Sequence, residues 1–453
     1  MTQKTLIKST SGVRGIIGHG LDSSIAEDYA RAFGSFVKKG KIVVGRDSRP
    51  SGEMLQKAVL KGLSSVGIDA IYLGIVPTPT VEIAVKGLKA AAGICITASH
   101  NPGEWNALKF FNKKGEFVTS VEFEQIEKIY NNKAFALHPA KKFGKIKQRS
   151  GWIERHVRKT LALKVVNEPA IKKRKFKVVL DAINGAGSFA LPSLLQNLGI
   201  TVYKINCKPN GNFVHEPEPI PKNLIQLGDA VIKCKADFGL ASDPDADRLA
   251  IVDEKGIPLG EELTLAMAVR EVLRTKKGPV VINLSTSKVT GDEAIKAGCP
   301  LYYSKVGESN VVQLMHDKKA VIGGEGNGGV IYPEFHSGRD ALVAAALVLS
   351  GLARQTQKMS EFAETFNKYY TIKTKATLPP DFSQRLKKFE TEVKTFVPKP
   401  TFNYIDGLRV DFSEGWILIR KSNTELIFRV MVETTKQSLS LTLSKQVMEY
   451  FGG

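Results

Sequence analysis

Three aspartates at alternate positions, Asp243, Asp245 and Asp247 in the hexapeptide DPDADR, carry the plainest chemistry in this chain. In extended or turn geometry alternate side chains share one face, so three hard oxygen donors converge. Such a set suits Mg²⁺. The loop starts like the D-x-D-x-D of a calcium loop, and Glu254 falls where that loop has its distal Glu, but Arg248 stands where it needs its invariant Gly. Arg248 beside the cluster points to a phosphate in the same place. Without that arginine a solvated acidic turn would explain the residues equally well.

Three further loops hold reactive or ligand-reading side chains. Thr97–Pro102 (TASHNP) follows an apolar strand, Ala91–Ile96, and presents the Ser99 hydroxyl beside His100. Small-residue loops at the carboxyl end of a strand are where α/β sheets place reactive groups. A serine hydrolase would need a G-x-S-x-G elbow, which the chain lacks. Gly323–Gly329 (GGEGNGG) has Glu325 and Asn327 as its only side chains, types that read sugar hydroxyls, on glycines that let a ligand approach the backbone. A plain turn has the same composition. The HSGRD that follows, His336–Asp340, reads as a helix start that buttresses this loop. Finally, Arg420–Arg429 (RKSNTELIFR) gathers Arg420, Ser422, Asn423, Thr424 and Arg429, the equipment of a phosphate cradle or of a polar hairpin end.

The elements that must position these loops repeat along the chain. Lys41–Val44 reads as a β-branched strand. It leads through GRDSRPSG into a helix over Glu53–Val66, a Gly67 stop and a strand over Asp69–Leu73. The same order recurs at Val178–Leu180, Ser188–Leu198, Gly199 and Ile200–Ile205. It recurs again at Val280–Leu284, Asp292–Lys296, Gly298 and Leu301–Ser304. Strand, polar loop, helix, glycine stop and strand is the βαβ signature, so three related α/β units are predicted. From Tyr369 onward, TIKTKATL, GLRVDF, WILIRKS and LIFRVMVE alternate like antiparallel strands, with helices over Phe382–Lys394 and Lys436–Tyr450. The expected fold is α/β: three βαβ mixed-sheet domains and a smaller C-terminal α+β domain around a central cleft. The expected boundaries are 1–150, 151–254, 255–369 and 370–453.

Bulk composition agrees with several domains. A chain of 453 residues, 43% apolar and 24% charged, is too long for one core and too apolar for disorder. The longest apolar run, Ala341–Ala353, is one buried helix and well short of the ~20 residues of a membrane span. The amino terminus, MTQKTLIKSTSGVRG, lacks the apolar core of an export signal. The four cysteines, Cys95, Cys207, Cys234 and Cys299, have neither metal-ligand nor disulfide-framework spacing. Together these predict a cytoplasmic protein with buried thiols and no membrane partner. The net charge of +20 attracts polyanions, and its one dense run is KKRKFK at Lys172–Lys177. No aromatics interleave it, so it reads as a solvated lead-in to a strand rather than a nucleic-acid site.

Taken together, a T-A-S-H-N-P serine loop, a D-x-D-x-D-R loop, a G-E loop and a terminal R-x-S-x-T-E loop resemble the α-D-phosphohexomutase superfamily, as do SGVRG (Ser11–Gly15) and GRDSRPSG (Gly45–Gly52). The resemblance covers essentially the whole chain. It implies a phosphoserine at Ser99 and one Mg²⁺ per chain on Asp243, Asp245 and Asp247 with a phosphoserine oxygen. It places Arg14 and Arg248 near the reactive phosphate, and Lys109 or His100 as the proton acceptor. Glu325 and Asn327 would hold the sugar. Arg420, Ser422, Asn423, Thr424 and Arg429 would hold the non-reacting phosphate. It also implies a hexose 1,6-bisphosphate activator, a phosphosugar partner, and a monomer or homodimer. Many members read G-E-x-S-G-H in the sugar loop; here Asn327 and Gly329 replace the Ser and the His. That form resembles phosphoglucosamine mutases or phosphomannomutase/phosphoglucomutases. An inactive scaffold that binds polyanions and a metal-dependent phosphatase are the rival readings.

Overall fold

The structure, a computed structural model, describes residues 6–422 and 426–452. Its strands form four sheets. The first contains β1 (Leu6–Ser9), β2 (Gly12–Ile16), β3 (Lys41–Arg46), β4 (Asp69–Ile75), β5 (Ala92–Ile96), β6 (Trp105–Phe111) and β7 (Ile146–Gln148), ordered β1-β2-β6-β5-β3-β4-β7. The second contains β8 (Lys177–Asp181), β9 (Thr201–Ile205), β10 (Phe238–Ser242) and β11 (Leu249–Val252), ordered β11-β10-β8-β9. The third contains β12 (Val280–Asn283), β13 (Leu301–Ser304), β14 (Ile322–Glu325) and β15 (Gly329–Ile331), ordered β13-β12-β14-β15.

These three sheets share one topology. In each, the first strand pairs in parallel with the second and the third, and a fourth returns antiparallel beside the third. The sets are β3, β4, β5, β6; β8, β9, β10, β11; and β12, β13, β14, β15. The predicted repeat is therefore structural, and its units are mixed sheets. The turn from third to fourth strand recurs at one place in each unit, and it carries in turn TASHNP, DPDADR and GEGNG. Three of the four chemically loaded loops thus occupy equivalent positions in repeated units.

The fourth sheet is antiparallel, with order β16-β20-β19-β18-β17. Its strands are β16 (Tyr370–Thr377), β17 (Thr401–Asn403), β18 (Leu408–Phe412), β19 (Gly415–Lys421) and β20 (Ile427–Thr434). Helices Phe382–Glu392 and Gln437–Tyr450 pack on it through Phe382, Phe389, Leu443 and Val447, with Phe451 just past the second helix in the same core. The chain is thus four α/β domains, the last smaller and α+β.

The apolar run Ala341–Ala353 is a helix buried on every side, as expected for one with no polar face. It sits in a core shared by the second and third sheets. Arg174, inside the basic run, is no solvated lead-in. It closes the helix Glu168–Arg174 and donates to the carbonyls of Leu352, at 3.1 Å, and Gln357, at 2.9 Å, tying down the open end of the apolar helix. The third-repeat helix is longer than its sequence pattern indicated. It begins at Lys288, because the Ser287 hydroxyl caps it by accepting the Val289 N–H at 3.2 Å. All four cysteines are free, Cys95 and Cys299 buried, Cys207 and Cys234 only half-buried. Among the described residues no helix is long and apolar enough to cross a membrane.

Candidate active site

The aspartate loop is a turn. Ala246 adopts φ +52°, and its N–H bonds the Asp243 carbonyl at 3.1 Å, which reverses the chain and brings the carboxylates together. One oxygen from each lies within 4.8 Å of the others, and all three residues are buried. Asp243 Oδ1 accepts the N–H groups of Asp247 and Arg248, at 3.2 Å each. Asp245 is braced from the first domain, where Thr78 donates its hydroxyl to Oδ2 at 2.5 Å and its N–H to the Asp245 carbonyl at 2.9 Å. Asp245 Oδ1 and Asp247 Oδ1 are buried without hydrogen-bond partners. Leaving such acceptors dry and unpaired is costly. Two orphaned carboxylate oxygens in a convergent cage therefore fit a divalent cation.

Ser99 reaches this cage from the β5–β6 turn. Its hydroxyl donates to Asp243 Oδ2 at 3.0 Å and lies 3.3 Å from His100 Nδ1. The two residues that meet are 144 positions apart. Ser99 has φ +50°, a conformation L-residues avoid.

Cations ring the carboxylates. Lys109, on β6, places Nζ 2.6 Å from Asp245 Oδ2 and 3.5 Å from Asp247 Oδ2. Burial alone would lower its pKa, but those two carboxylates raise it, so Lys109 is an ammonium. Arg339, just ahead of the buried helix, donates to Asp247 Oδ2 at 2.6 Å, to Glu308 Oε2 at 3.0 Å and to Glu325 Oε2 at 3.0 Å. Burial opposes ionisation of Asp247, but Arg339, Lys109 and Arg248 hold its pKa below the usual carboxylate range. Asp243 goes the other way, raised by burial and by the charges of Asp247 and Asp245.

On the open side lie Arg248, Arg14 and His100. Arg248 reaches Glu218 at 3.5 Å, but its Nε is buried without a hydrogen-bond partner. Arg14, on β2, donates to Asn101 Oδ1 at 3.0 Å. Burial and the guanidinium of Arg248 lower the pKa of both Arg14 and His100, so the imidazole is neutral at pH 7. Arg248 Nε faces Asp247 Oδ1 at 3.7 Å, and a buried donor without a hydrogen bond beside crowded cations is the electrostatic signature of an anion site. Alongside, a cleft of about 990 Å³ opens between the second, third and fourth sheets, with Glu218, Ser287, Tyr369 and Lys373 on its walls.

The side chains of the sugar-type loop are held by the protein. Glu325 has both carboxylate oxygens engaged by protein: Oε1 accepts from Asn283 at 2.8 Å and from the Gly307 N–H at 3.1 Å, and Oε2 accepts from Arg339. Asn327 Oδ1 accepts the Gly329 N–H at 3.2 Å. The glycines of this loop admit protein. A Cβ on Gly328 would lie 2.4 Å from the Leu249 carbonyl, so the loop packs on the strand that leaves the aspartate turn. A Cβ on Gly329 would lie 2.3 Å from Arg339 Cδ, so the arginine fills the space of the side chain missing there.

In the fourth domain Arg420 and Arg429 face each other across β19 and β20 in direct register. Like charges opposite one another are unfavourable. Arg420 Nε lies 3.4 Å from Asp406 Oδ2, which also accepts the Val306 N–H at 3.0 Å. Contacts therefore run from Arg420 through Asp406 and the Val306–Gly307 backbone to Glu325, Arg339 and Asp247. Ser422 is half-buried and its N–H bonds the Ile427 carbonyl at 2.9 Å, while Asn423 and Thr424 lie outside the described residues.

Sequence reasoning missed Thr78, Glu308 and Arg339. Arg339 had one local signal: the Asp340 beside it stands ahead of an apolar run as a helix N-cap, so the guanidinium must find its counter-charge elsewhere.

Comparisons with known proteins agree along the chain. The family descriptions "Phosphoglucomutase/phosphomannomutase, alpha/beta/alpha domain I", II and III match residues 5–137, 154–256 and 260–369, and the family's C-terminal domain matches residues 374–449. A phosphoglucomutase/phosphomannomutase of Thermococcus kodakarensis is 36% identical over 438 residues, 94% of each chain. A Pyrococcus abyssi protein named probable phosphoglucosamine mutase is 34% identical over 446 residues, 96% of each chain. The crystal structure of a phosphoglucomutase/phosphomannomutase family protein from Burkholderia thailandensis superposes with a TM-score of 0.85 at 25% identity, covering 99% of this chain and 97% of that one.

Proposed function

Because the chain belongs to the phosphoglucomutase/phosphomannomutase family and is a phosphohexomutase, an isomerase, we propose that it interconverts glucosamine 6-phosphate and glucosamine 1-phosphate through a phosphorylated Ser99. The observation that carries the proposal is the Ser99 hydroxyl 3.0 Å from Asp243, at the mouth of a three-carboxylate cage.

Phospho-Ser99 gives its phosphoryl group to the free hydroxyl of the hexose monophosphate. The bond from phosphorus to the seryl oxygen breaks, a bond to the sugar oxygen forms, and the hydroxyl proton leaves to a base. The resulting 1,6-bisphosphate turns around, and Ser99 takes back the other phosphoryl group. Added hexose 1,6-bisphosphate would act as activator by rephosphorylating the serine. Such transfers depend on positioning and charge neutralisation more than on covalent chemistry. Asp243, Asp245 and Asp247 with the seryl phosphate would hold one Mg²⁺, which when bound supplies Lewis-acid stabilisation of the phosphoryl oxygens.

The chain's own residues divide the remaining work. Arg248, whose Nε makes no hydrogen bond, and Arg14 neutralise the reacting phosphoryl group. His100 has the neutral imidazole and a free lone pair to receive a proton beside Ser99. Lys109, 2.6 Å from Asp245 Oδ2 and 3.5 Å from Asp247 Oδ2, balances their charge, and is the other candidate proton acceptor once a bound cation takes over that role. Arg420 and Arg429, with Ser422, Asn423 and Thr424, hold the distal phosphate, while Asn327 and the backbone around Glu325 face the sugar.

The 36% identical phosphoglucomutase/phosphomannomutase supports glucose or mannose phosphate as the second reading. Measuring kcat/KM for glucosamine, glucose and mannose phosphates decides between them. Ser99→Ala should lose all turnover while remaining folded, and an active Ser99→Ala protein would refute the carrier role.

A further inference from the structure

The segment GRDSRPSG (Gly45–Gly52) takes no part in the chemistry above, yet its turn lies directly beneath the serine loop. We propose that Asp47, Arg49 and Thr97 are positioning residues that clamp the Ser99 loop and register it against the aspartate turn; this rests on the reading of Ser99 as phosphoryl carrier.

All five N–H donors of the wholly buried Arg49 guanidinium are spent on this clamp. Nη2 donates to the carbonyls of Ser99 and Asn101, at 2.6 Å each. Nη1 donates to the carbonyls of Pro102, at 2.6 Å, and Trp105, at 3.0 Å. Nε donates to Asp47 Oδ2 at 3.0 Å. Four carbonyls of one loop converge on one planar fork, which a lysine ammonium cannot reproduce. Asp47 Oδ2 also accepts the Thr97 hydroxyl at 2.6 Å, and Thr97 Oγ1 in turn accepts the Ser99 N–H at 3.0 Å. Both peptide groups of Ser99 are therefore held. That is the requirement for keeping a non-glycine residue at φ +50°, which persists only where its surroundings impose it.

The same turn grips the second domain. Ser48 Oγ donates to the Asn184 carbonyl at 2.7 Å, and Arg49 lies 4.9 Å from the centre of the Phe213 ring. Two residues past Asn184, the Ala186 N–H bonds the Pro244 carbonyl at 2.7 Å, inside the aspartate turn. One turn thus holds the carrier loop on one side and braces the carboxylate loop on the other. None of these groups touches the Ser99 hydroxyl or the sugar, so they act on the geometry of transfer and leave ground-state binding alone.

A misplacement of about 1 Å costs on the order of 100-fold in rate. The test uses the full-length enzyme, the hexose phosphate it turns over best, and the variants Arg49→Lys, Thr97→Val and Thr97→Ser, with thermal melts alongside. Arg49→Lys should lose about 100-fold in kcat with KM within about threefold. Thr97→Val, nearly isosteric, should lose at least about tenfold more kcat than Thr97→Ser, which keeps the hydroxyl. If Arg49→Lys melts below the assay temperature, the Thr97 pair decides alone. Variants with kcat near the parent's, or with KM raised and kcat kept, overturn the inference. A parent that isomerises no hexose phosphate overturns the carrier reading itself, a failure distinct from an active parent with unaffected variants.

Discussion

Replacing Arg339 by Gln should destabilise the protein by about 4 kcal/mol and make it more dependent on added metal. The guanidinium is buried and binds three carboxylates from three separate elements: Asp247 at 2.6 Å, Glu308 at 3.0 Å and Glu325 at 3.0 Å. Glutamine is shorter and neutral, so at least two of those carboxylates lose their partner and all three lose the charge. Removing one member of a buried ion pair costs about 3–5 kcal/mol. Hydrogen bonds to charged groups are worth about 1.5–3 kcal/mol each, but three that share one cation overlap rather than add. Arg339→Lys keeps the charge and loses the fork, so its cost should be about half. The assay is urea unfolding followed by fluorescence, once in chelator and once in Mg²⁺. A cation on the aspartate cage replaces part of the positive charge Asp247 has lost, so metal should stabilise Arg339→Gln more than the parent. A variant within about 0.5 kcal/mol of the parent, the range of an ordinary surface change, refutes the reasoning, as does an equal metal response.

Two other outcomes are expected. Asp245→Asn keeps the size of the side chain and removes one charge from the cage; calorimetric Mg²⁺ affinity should fall by at least the roughly 10–100-fold typical of outer-shell changes, and an unchanged titration would remove Asp245 from metal binding. Stability should also fall on the alkaline side. His336 is buried, which would lower its pKa, but Asp340 at 2.9 Å and Glu82 at 3.1 Å raise it to about 9. A histidine raised above its unfolded value of about 6.5 contributes fully below that pH and loses its contribution as pH rises through 9, up to about 3 kcal/mol. Glu82, pushed up to about 8 by burial, adds to the fall only below pH 8, because the unfolded chain ionises this group from about pH 4.5 and the folded protein only near 8. Melting temperature should therefore drop between pH 6.5 and 9.5, and His336→Asn should flatten the curve; an equally steep curve in that variant refutes the assignment.

The repeat and its loops were legible from residue order because strand, helix and turn preferences are local. Val178–Leu180, Gly199 and Ile200–Ile205 carry the same pattern as Lys41–Val44, Gly67 and Asp69–Leu73, and the structure gives both the same sheet order. Chemical type was legible for the same reason: three aspartates in six residues, or a serine in a small-residue turn, declare themselves without a partner. The longer helix from Lys288 was missed because Thr290 and Gly291 lower helix preference, and only the Ser287 cap and burial against neighbouring helices offset them.

The sequence by itself determined which side chains this protein has for chemistry and which repeated turns present them. Tertiary structure alone decided what each one meets. Ser99 and Asp243 come within 3.0 Å because the loops that follow β5 and β10, in two separate sheets, meet between the first and second domains. Glu325, which by type reads hydroxyls, is engaged by Asn283, Gly307 and Arg339, and Lys109 becomes a counter-ion because Asp245 and Asp247 lie 2.6 and 3.5 Å from its ammonium. The physical reason is range. Backbone preference acts over a few residues, whereas charge in a dry interior is set by whichever groups packing brings within about 4 Å, however far apart they stand in the chain.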